Sequence, residues 1–303
     1  RVLGAALDGE VPHVTVKRRG VEQTVAARFV VSAEGRASKL REQAGIASTD
    51  EVPFRMLGWK IAGARLPYPG YGHVFIGGPT PILAYQVSRQ EVRIMFEVGL
   101  DEDEVSEALI TALPEPFRQD VRAGIVASPK ATARFQGFRP ERVVSGPLAV
   151  VGDAGGCVHP LIASGMSFCI ADGIRLADAM RSPADSREAG LQRYERGRKG
   201  PMRTRSALGP AMVEALCSRE PSMALLRHGL FRYWNRSPRG RGASMGLLST
   251  REDRMTVMAR EYALVCAHAL TGIAEGAVSV GQALPALAGL AKRSAGFVRG
   301  AFL

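Results

Sequence analysis

The chain has 303 residues, 46% of them apolar and 23% charged, which excludes disordered, collagen-like and disulfide-scaffold classes. Lys and Arg number 40 against 29 Asp and Glu, a net charge of +11. The excess is local: residues 187–254 hold 15 basic and 6 acidic side chains, so the charge describes one segment rather than the molecule. The four cysteines, Cys157, Cys169, Cys217 and Cys266, form no Cys-x-x-Cys pair, and the five histidines show no ligand spacing. No metal site and a reduced, cytoplasmic setting are therefore expected. No uncharged run reaches a spanning length of strongly apolar residues.

In chain order, Val14-Thr15-Val16 and Arg28-Phe29-Val30-Val31 read as short strands around the turn at Arg18-Arg19-Gly20. The second ends in Ser32-Ala33-Glu34-Gly35-Arg36-Ala37-Ser38 and passes to a helix over 39–44, with Ser38 as N-cap and Gly45 as stop. Strands are predicted over 56–61, 73–76, 82–87 and 92–98, joined by Gly/Pro turns as in an antiparallel sheet. Residues 101–127 read as helix, broken near Pro114 and Pro116. A buried strand is expected over 146–152 and a helix over 166–180. The remainder reads as basic helices with breaks at Pro201, Pro210, Pro221 and residues 237–240.

The chemistry concentrates in Gly152-Asp153-Ala154-Gly155-Gly156-Cys157-Val158-His159-Pro160-Leu161-Ile162-Ala163-Ser164-Gly165-Met166. An apolar strand delivers Asp153 at its C-terminal end, where open α/β sheets hold ligands. The glycines are expected to let a ligand approach the backbone. The helix starting at Gly165 aims free N–H groups and its positive dipole end at the same crevice. A carboxylate for sugar hydroxyls beside such a terminus suits a nucleotide-like cofactor, and equally a glycine-rich turn in which Asp153 only caps its neighbours.

This stretch resembles the second FAD-binding motif of the class A flavoprotein monooxygenases, and its Gly-Asp-Ala, His-Pro-Leu and Gly-Met phrases are most similar to squalene monooxygenases. Ser32 to Arg41 resembles the same family's Asp-Gly motif, with Glu34 in place of the usual Asp. The resemblance implies an α+β/α/β fold. Its parts would be a Rossmann-like FAD-binding domain from residues 1–50 and 135–185, an inserted antiparallel-sheet substrate domain over 51–134, and a basic helical region over 186–303. No Gly-x-Gly-x-x-Gly follows a strand, so the domain is expected to lack its N-terminal βαβ unit and the chain to be truncated there by roughly 100 residues.

In activity, the resemblance implies an FAD-dependent monooxygenase, an epoxidase or hydroxylase, that uses NAD(P)H and O2 on a hydrophobic, isoprenoid substrate. The flavin carries the chemistry and no catalytic side chain is required. Cofactor contacts are expected from Gly152, Asp153, Ala154, His159, Pro160, Leu161, Gly165, Met166, Glu34, Gly35 and Arg36, with Arg41 a further candidate for phosphate or nicotinamide. Trp59, Phe75, Tyr85 and Phe96 are the candidate substrate-cavity residues, although a sheet core needs the same types. Leu225, Leu226, Leu230, Phe231 and Trp234, interleaved with Arg227, Arg232 and Arg236, suit peripheral contact with an anionic cytoplasmic membrane surface. Nucleic acid is not an expected partner, since no recognition module is present. Two alternatives stay open: an aromatic or quinone-precursor hydroxylase or isoprenoid reductase of the same fold, and a non-catalytic fragment whose basic helices bind a membrane or partner.

Overall fold

A computed structural model of the chain describes residues 1–9, 11–182 and 186–302. Three strands, β1 (Val2–Ala6), β2 (His13–Arg18) and β3 (Val21–Ala26), form an antiparallel meander. The chain then enters β4 (Val30–Ser32) and helix α1 (Lys39–Gln43). Ser38 caps α1 as expected, its Oγ accepting from the Arg41 N–H at 3.1 Å. β5 (Ser48–Asp50) leads into the sheet domain of β6 (Phe54–Ala62), β7 (His73–Phe75), β8 (Ile82–Gln86) and β9 (Glu91–Val98). α2 (Glu107–Thr111) and α3 (Phe117–Ala127) follow, divided at the prolines. β10 (Ala131–Phe135) completes a five-stranded antiparallel sheet of order β10-β6-β9-β8-β7.

The alternation of these strands decides what each face does. Leu57, Trp59, Ile61, Ile82, Ile94 and Phe96 share one face and pack under α2 and α3 against Leu109, Phe117 and Val121. At Gly124 of α3 a methyl group would overlap Ile61, so helix and sheet meet at van der Waals distance there. The opposite face carries Phe54, Leu83 and Glu97 toward the rest of the molecule.

After β10 the chain returns to the first part through β11 (Phe138–Pro140), paired with β5, and β12 (Val144–Ser145). It then forms β13 (Leu148–Val150), which pairs parallel with β4 in the register Leu148↔Val30 to Val150↔Ser32. Val30, Leu148, Ala149 and Val150 are buried with Leu176 of α4 (Gly165–Ala179) and with Leu191 and Tyr194 of α5 (Arg187–Cys217).

Two expectations need correction here. Pro201 and Pro210 do not break the helix: both lie inside the 31-residue α5. An interior proline costs about 3 kcal/mol, and here the flanking turns are fixed from both sides by buried Leu191, Tyr194, Met202, Ala215 and Leu216. Pro221 and Pro238 stand instead at the starts of α6 (Pro221–Arg236) and α7 (Pro238–Leu248), where a proline leaves no interior hydrogen bond unmade. α5 begins just after residue 186, yet it belongs to two cores. Its first half packs on the β4–β13 core, while its end joins α6, α8 (Met255–Leu270) and α9 (Val280–Phe302) in a third core.

The second correction concerns the stretch read as an interfacial face. Leu225, Leu226 and Leu230 are buried in that third core. Arg227 donates to the carbonyls of Ala215 and Ser218 at 2.9 and 3.1 Å, and Arg232 pairs with Glu275. Among the described residues no helix is long and apolar enough to cross a membrane.

Candidate cofactor and substrate site

The parallel β4–β13 pair sets the two motifs side by side. Both strands end at the same level, Ser32 opposite Val150, so the Glu34 and Asp153 loops leave the sheet together at its C-terminal edge. Arg41 ties them. Its guanidinium donates to the carbonyls of Ala154 (3.0 Å) and Arg36 (2.9 Å) and lies 4.3 Å from the Phe138 ring centroid. At 8% exposure and with these partners Arg41 joins the two loops, rather than reaching for a ligand.

Gly152–Gly155 forms a short 3₁₀ turn after β13. Buried Asp172 of α4 accepts from the Gly152 N–H at 2.7 Å and from Arg198 Nε at 2.8 Å. The Tyr194 hydroxyl donates to the Val150 carbonyl at 2.8 Å. These long-range braces were not legible in the sequence, because Asp172, Tyr194 and Arg198 belong to no motif. The glycines also serve a purpose different from the expected one. A methyl group on Gly152 would lie 2.9 Å from Cys169 Sγ, and one on Gly156 (φ +121°) 2.5 Å from Met202 Cε. They let α4 and α5 close on the loop, rather than opening it to a ligand.

Asp153 is partly exposed. Among the described residues its carboxylate has a single hydrogen-bond partner, the Cys169 thiol at 3.8 Å. The buried Arg205 guanidinium faces the same loop: it donates to Ser164 Oγ at 3.2 Å and lies 4.4 Å from the Phe168 ring. Burial lowers the Arg205 pKa while the Asp153 charge pulls it back up. Cys157 is enclosed, and burial pushes its thiol up to about 11, so it is a packing residue rather than a nucleophile. All four cysteines are free, and no metal-ligand group occurs among the described residues.

His159 and Pro160 open a second 3₁₀ turn, Pro160–Ile162. His159 Nδ1 accepts from the Leu161 N–H at 3.2 Å, which places its ring proton on Nε2, 2.8 Å from Glu97 Oε2 on the sheet domain. Phe54 (4.9 Å) and Phe135 (6.3 Å) flank the imidazole. Glu51 lies in the field of His159, and burial raises its pKa. Beyond the turn, α4 begins at Gly165 without a side-chain cap from Ser164. Nothing lies within 4 Å of a methyl group built on Gly165, and Met166 is 83% exposed. The first amides of α4 therefore border open space.

The upstream motif is arranged differently. Glu34 Oε2 accepts from Ser38 Oγ (2.8 Å), Ser32 Oγ (3.0 Å) and the Leu40 N–H (3.0 Å). That carboxylate is turned onto α1. Gly35 takes φ +76° at the bend, and Arg36 lies over the Phe135 ring at 4.9 Å.

Beside the His159–Gly165 turn lies a cleft of about 860 Å³, within the range of small-molecule sites. Val74 and Ile76 wall it from the sheet domain, Leu161 and Ile162 from the motif, and Met212 and Trp234 from α5 and α6. None of the four aromatic residues expected there takes part. Trp59 and Phe96 are buried under α2 and α3, Phe75 stacks on Phe117 at 5.5 Å on that same side, and Tyr85 stands 38% exposed outside the cleft. For Trp59, Phe75 and Phe96 the reason is strand parity, since Val74 and Ile76, either side of Phe75, face the cleft; Tyr85 shares the face of Leu83 and lies outside the cleft lining.

A family model described as squalene epoxidase matches residues 26–284. Squalene epoxidase 1 of Arabidopsis thaliana is 29% identical over 229 residues, covering 70% of this chain and 43% of the relative. The squalene monooxygenase of Mus musculus is 23% identical, covering 84% and 46%. The chain spans under half the length of these curated relatives. Among solved structures, Klebsiella pneumoniae HpxO, complexed with FAD and uric acid, superposes with a TM-score of 0.60 at 18% identity, covering 89% of this chain and 66% of HpxO. The anhydrotetracycline hydroxylase OxyS of Streptomyces rimosus gives 0.57 at 18%, covering 82% and 51%. At these identities the structural likeness concerns the fold.

Proposed function

The chain belongs to the squalene epoxidase family, and we propose that it forms the flavin and substrate face of an FAD-dependent monooxygenase acting on an apolar, isoprenoid-class molecule. The observation that carries this is the pairing of an under-used carboxylate, Asp153, with the uncapped, open start of α4, whose Ser167 lines a largely apolar cleft. These residues fit FAD. Asp153 accepts hydrogen bonds from sugar or ribityl hydroxyls, and the amides of Gly165 and Met166 stabilise negative charge on the ring system. Pro160 and Leu161 border the ring. Bound there, FAD supplies the redox chemistry that uses O2, with NAD(P)H as reductant.

The chain's own contribution is placement and an apolar wall. His159, held by Glu97 on one side and the Leu161 N–H on the other, fixes the turn that would stand between a bound cofactor and the cleft. The cleft's Val, Ile, Leu, Met and Trp side chains give most of its wall an apolar character, with Ser167, Ser249 and Arg251 as its polar groups. Attachment to a membrane surface is part of the same reading. It rests on the exposed Leu264, Leu270, Val280 and Leu284 of α8 and α9, not on the α6 face expected from the sequence.

The test is FAD affinity followed by flavin fluorescence. Asp153→Ala is expected to weaken binding by roughly tenfold or more, in keeping with the loss of a charged acceptor. Unchanged affinity would place the cofactor elsewhere.

A further inference from the structure

A second, smaller cavity of about 80 Å³ lies within the helical region. One face of α5 builds its wall with Leu208, Ala211, Met212 and Ala215, residues three and four apart. Leu226 and Leu230 of α6 and Val265 of α8 line its other side. Met212, Trp234 and Leu248 belong to this chamber and to the large cleft alike, so these three side chains form the partition between them.

The chamber is apolar in effect. Its one carboxylate, Glu261, is 5% exposed and already accepts from the Tyr233 hydroxyl at 2.7 Å and from Arg260 at 2.9 Å. Apart from the buried Trp234 indole N–H at the partition, which has no partner among the described residues, and the Ser244 and Tyr262 hydroxyls, the lining offers a polar ligand end little to replace its hydration. A cavity lined by such residues stays dry, and an engineered apolar cavity of about 150 Å³ admits benzene. The chamber here is smaller and suits a methyl-branched hydrocarbon end rather than a ring.

We propose that cleft and chamber are one divided substrate site. The reacting part of a long apolar chain lies in the cleft beside Leu161, and its hydrocarbon terminus passes Met212, Trp234 and Leu248 into the chamber, whose floor limits chain length. This rests on the reading of the cleft as a substrate site and adds which end of the molecule enters and what measures it.

Linear polyprenyl alcohols of rising length (geraniol, farnesol, geranylgeraniol) test it, with binding followed by tryptophan fluorescence and Trp234→Phe identifying the reporter. Ala211→Phe fills the chamber without altering the cleft. Each methylene kept out of apolar burial weakens binding about fourfold. The plug is therefore expected to cost the longest alcohol bound by the unsubstituted chain about tenfold or more, and to leave geraniol within about twofold. Ala211→Leu, a smaller plug, should give an intermediate loss and serves if the phenylalanine variant does not fold. The same length profile in plugged and unsubstituted chains would overturn the divided site while leaving Asp153-dependent FAD binding intact. If no alcohol binds the unsubstituted chain, the inference and the apolar-substrate reading fall together, again without touching the FAD result.

Discussion

Glu34 occupies the position where the family motif carries Asp, and its extra methylene lets the carboxylate reach back to Ser32, Ser38 and the Leu40 N–H. Burial raises its pKa, but those three donors outweigh it and hold the group below its ordinary value of 4.5. A depressed carboxylate stabilises the fold above its unfolded-state pKa, and that contribution disappears as the pH falls through the folded-state value. Glu34→Gln should therefore lower the urea midpoint at neutral pH, with the difference closing as the pH drops below about 4.5. A gap that stays constant across that range would show that the carboxylate's charge is irrelevant. Asp153, His159 and Gly165 were legible in the sequence because they lie within one short contiguous stretch. Asp172, Arg198 and Glu97 act on that stretch from 20, 46 and 62 residues away, and no local pattern announces such partners.

At the level of elements, the strands with clean alternation and the helices after clear caps were readable, and β4, α1, β6 to β9 and α4 occupy nearly the predicted spans. What alternation leaves open is which face becomes core. Both faces of the sheet carry apolar side chains, and only the docking of α2 and α3 decides that Phe75 and Phe96 point away from the cleft. The prolines of α5 misled for a related reason, since local cost was outweighed by packing along the rest of the helix. A similar constraint governs the crossing of α6 and α8. A methyl group on Gly229 would lie 2.5 Å from the Val265 carbonyl oxygen and 2.6 Å from the Ala269 nitrogen, both backbone atoms that cannot rotate aside. Gly229→Ala is expected to destabilise the chain by about 1–3 kcal/mol in chemical denaturation. Gly242→Ala in α7, with open space around it, should be neutral or stabilising by up to about 1 kcal/mol. Equal effects of the two would refute the close crossing.

Over the whole molecule, the strong positive charge has a more internal meaning than its concentration in residues 187–254 suggested. Arg198 neutralises Asp172 beneath the motif, Arg205 is enclosed beside Ser164, Arg227 closes the C-terminus of α5, and Arg232 holds Glu275. The membrane reading rests on the exposed apolar residues of α8 and α9 and predicts flotation with anionic vesicles that Leu284→Asp weakens. Failure of the unsubstituted chain to float would remove that reading while leaving the cofactor site standing. The proposed cofactor site is built on the loops after β4 and β13 and the start of α4, and hydrogen–deuterium exchange with and without FAD tests it most directly. Added FAD should slow exchange across residues 152–167, and across residues 33–41 beside them, while β1 to β3 exchange unchanged. Bound FAD that leaves 152–167 unprotected would contradict the account.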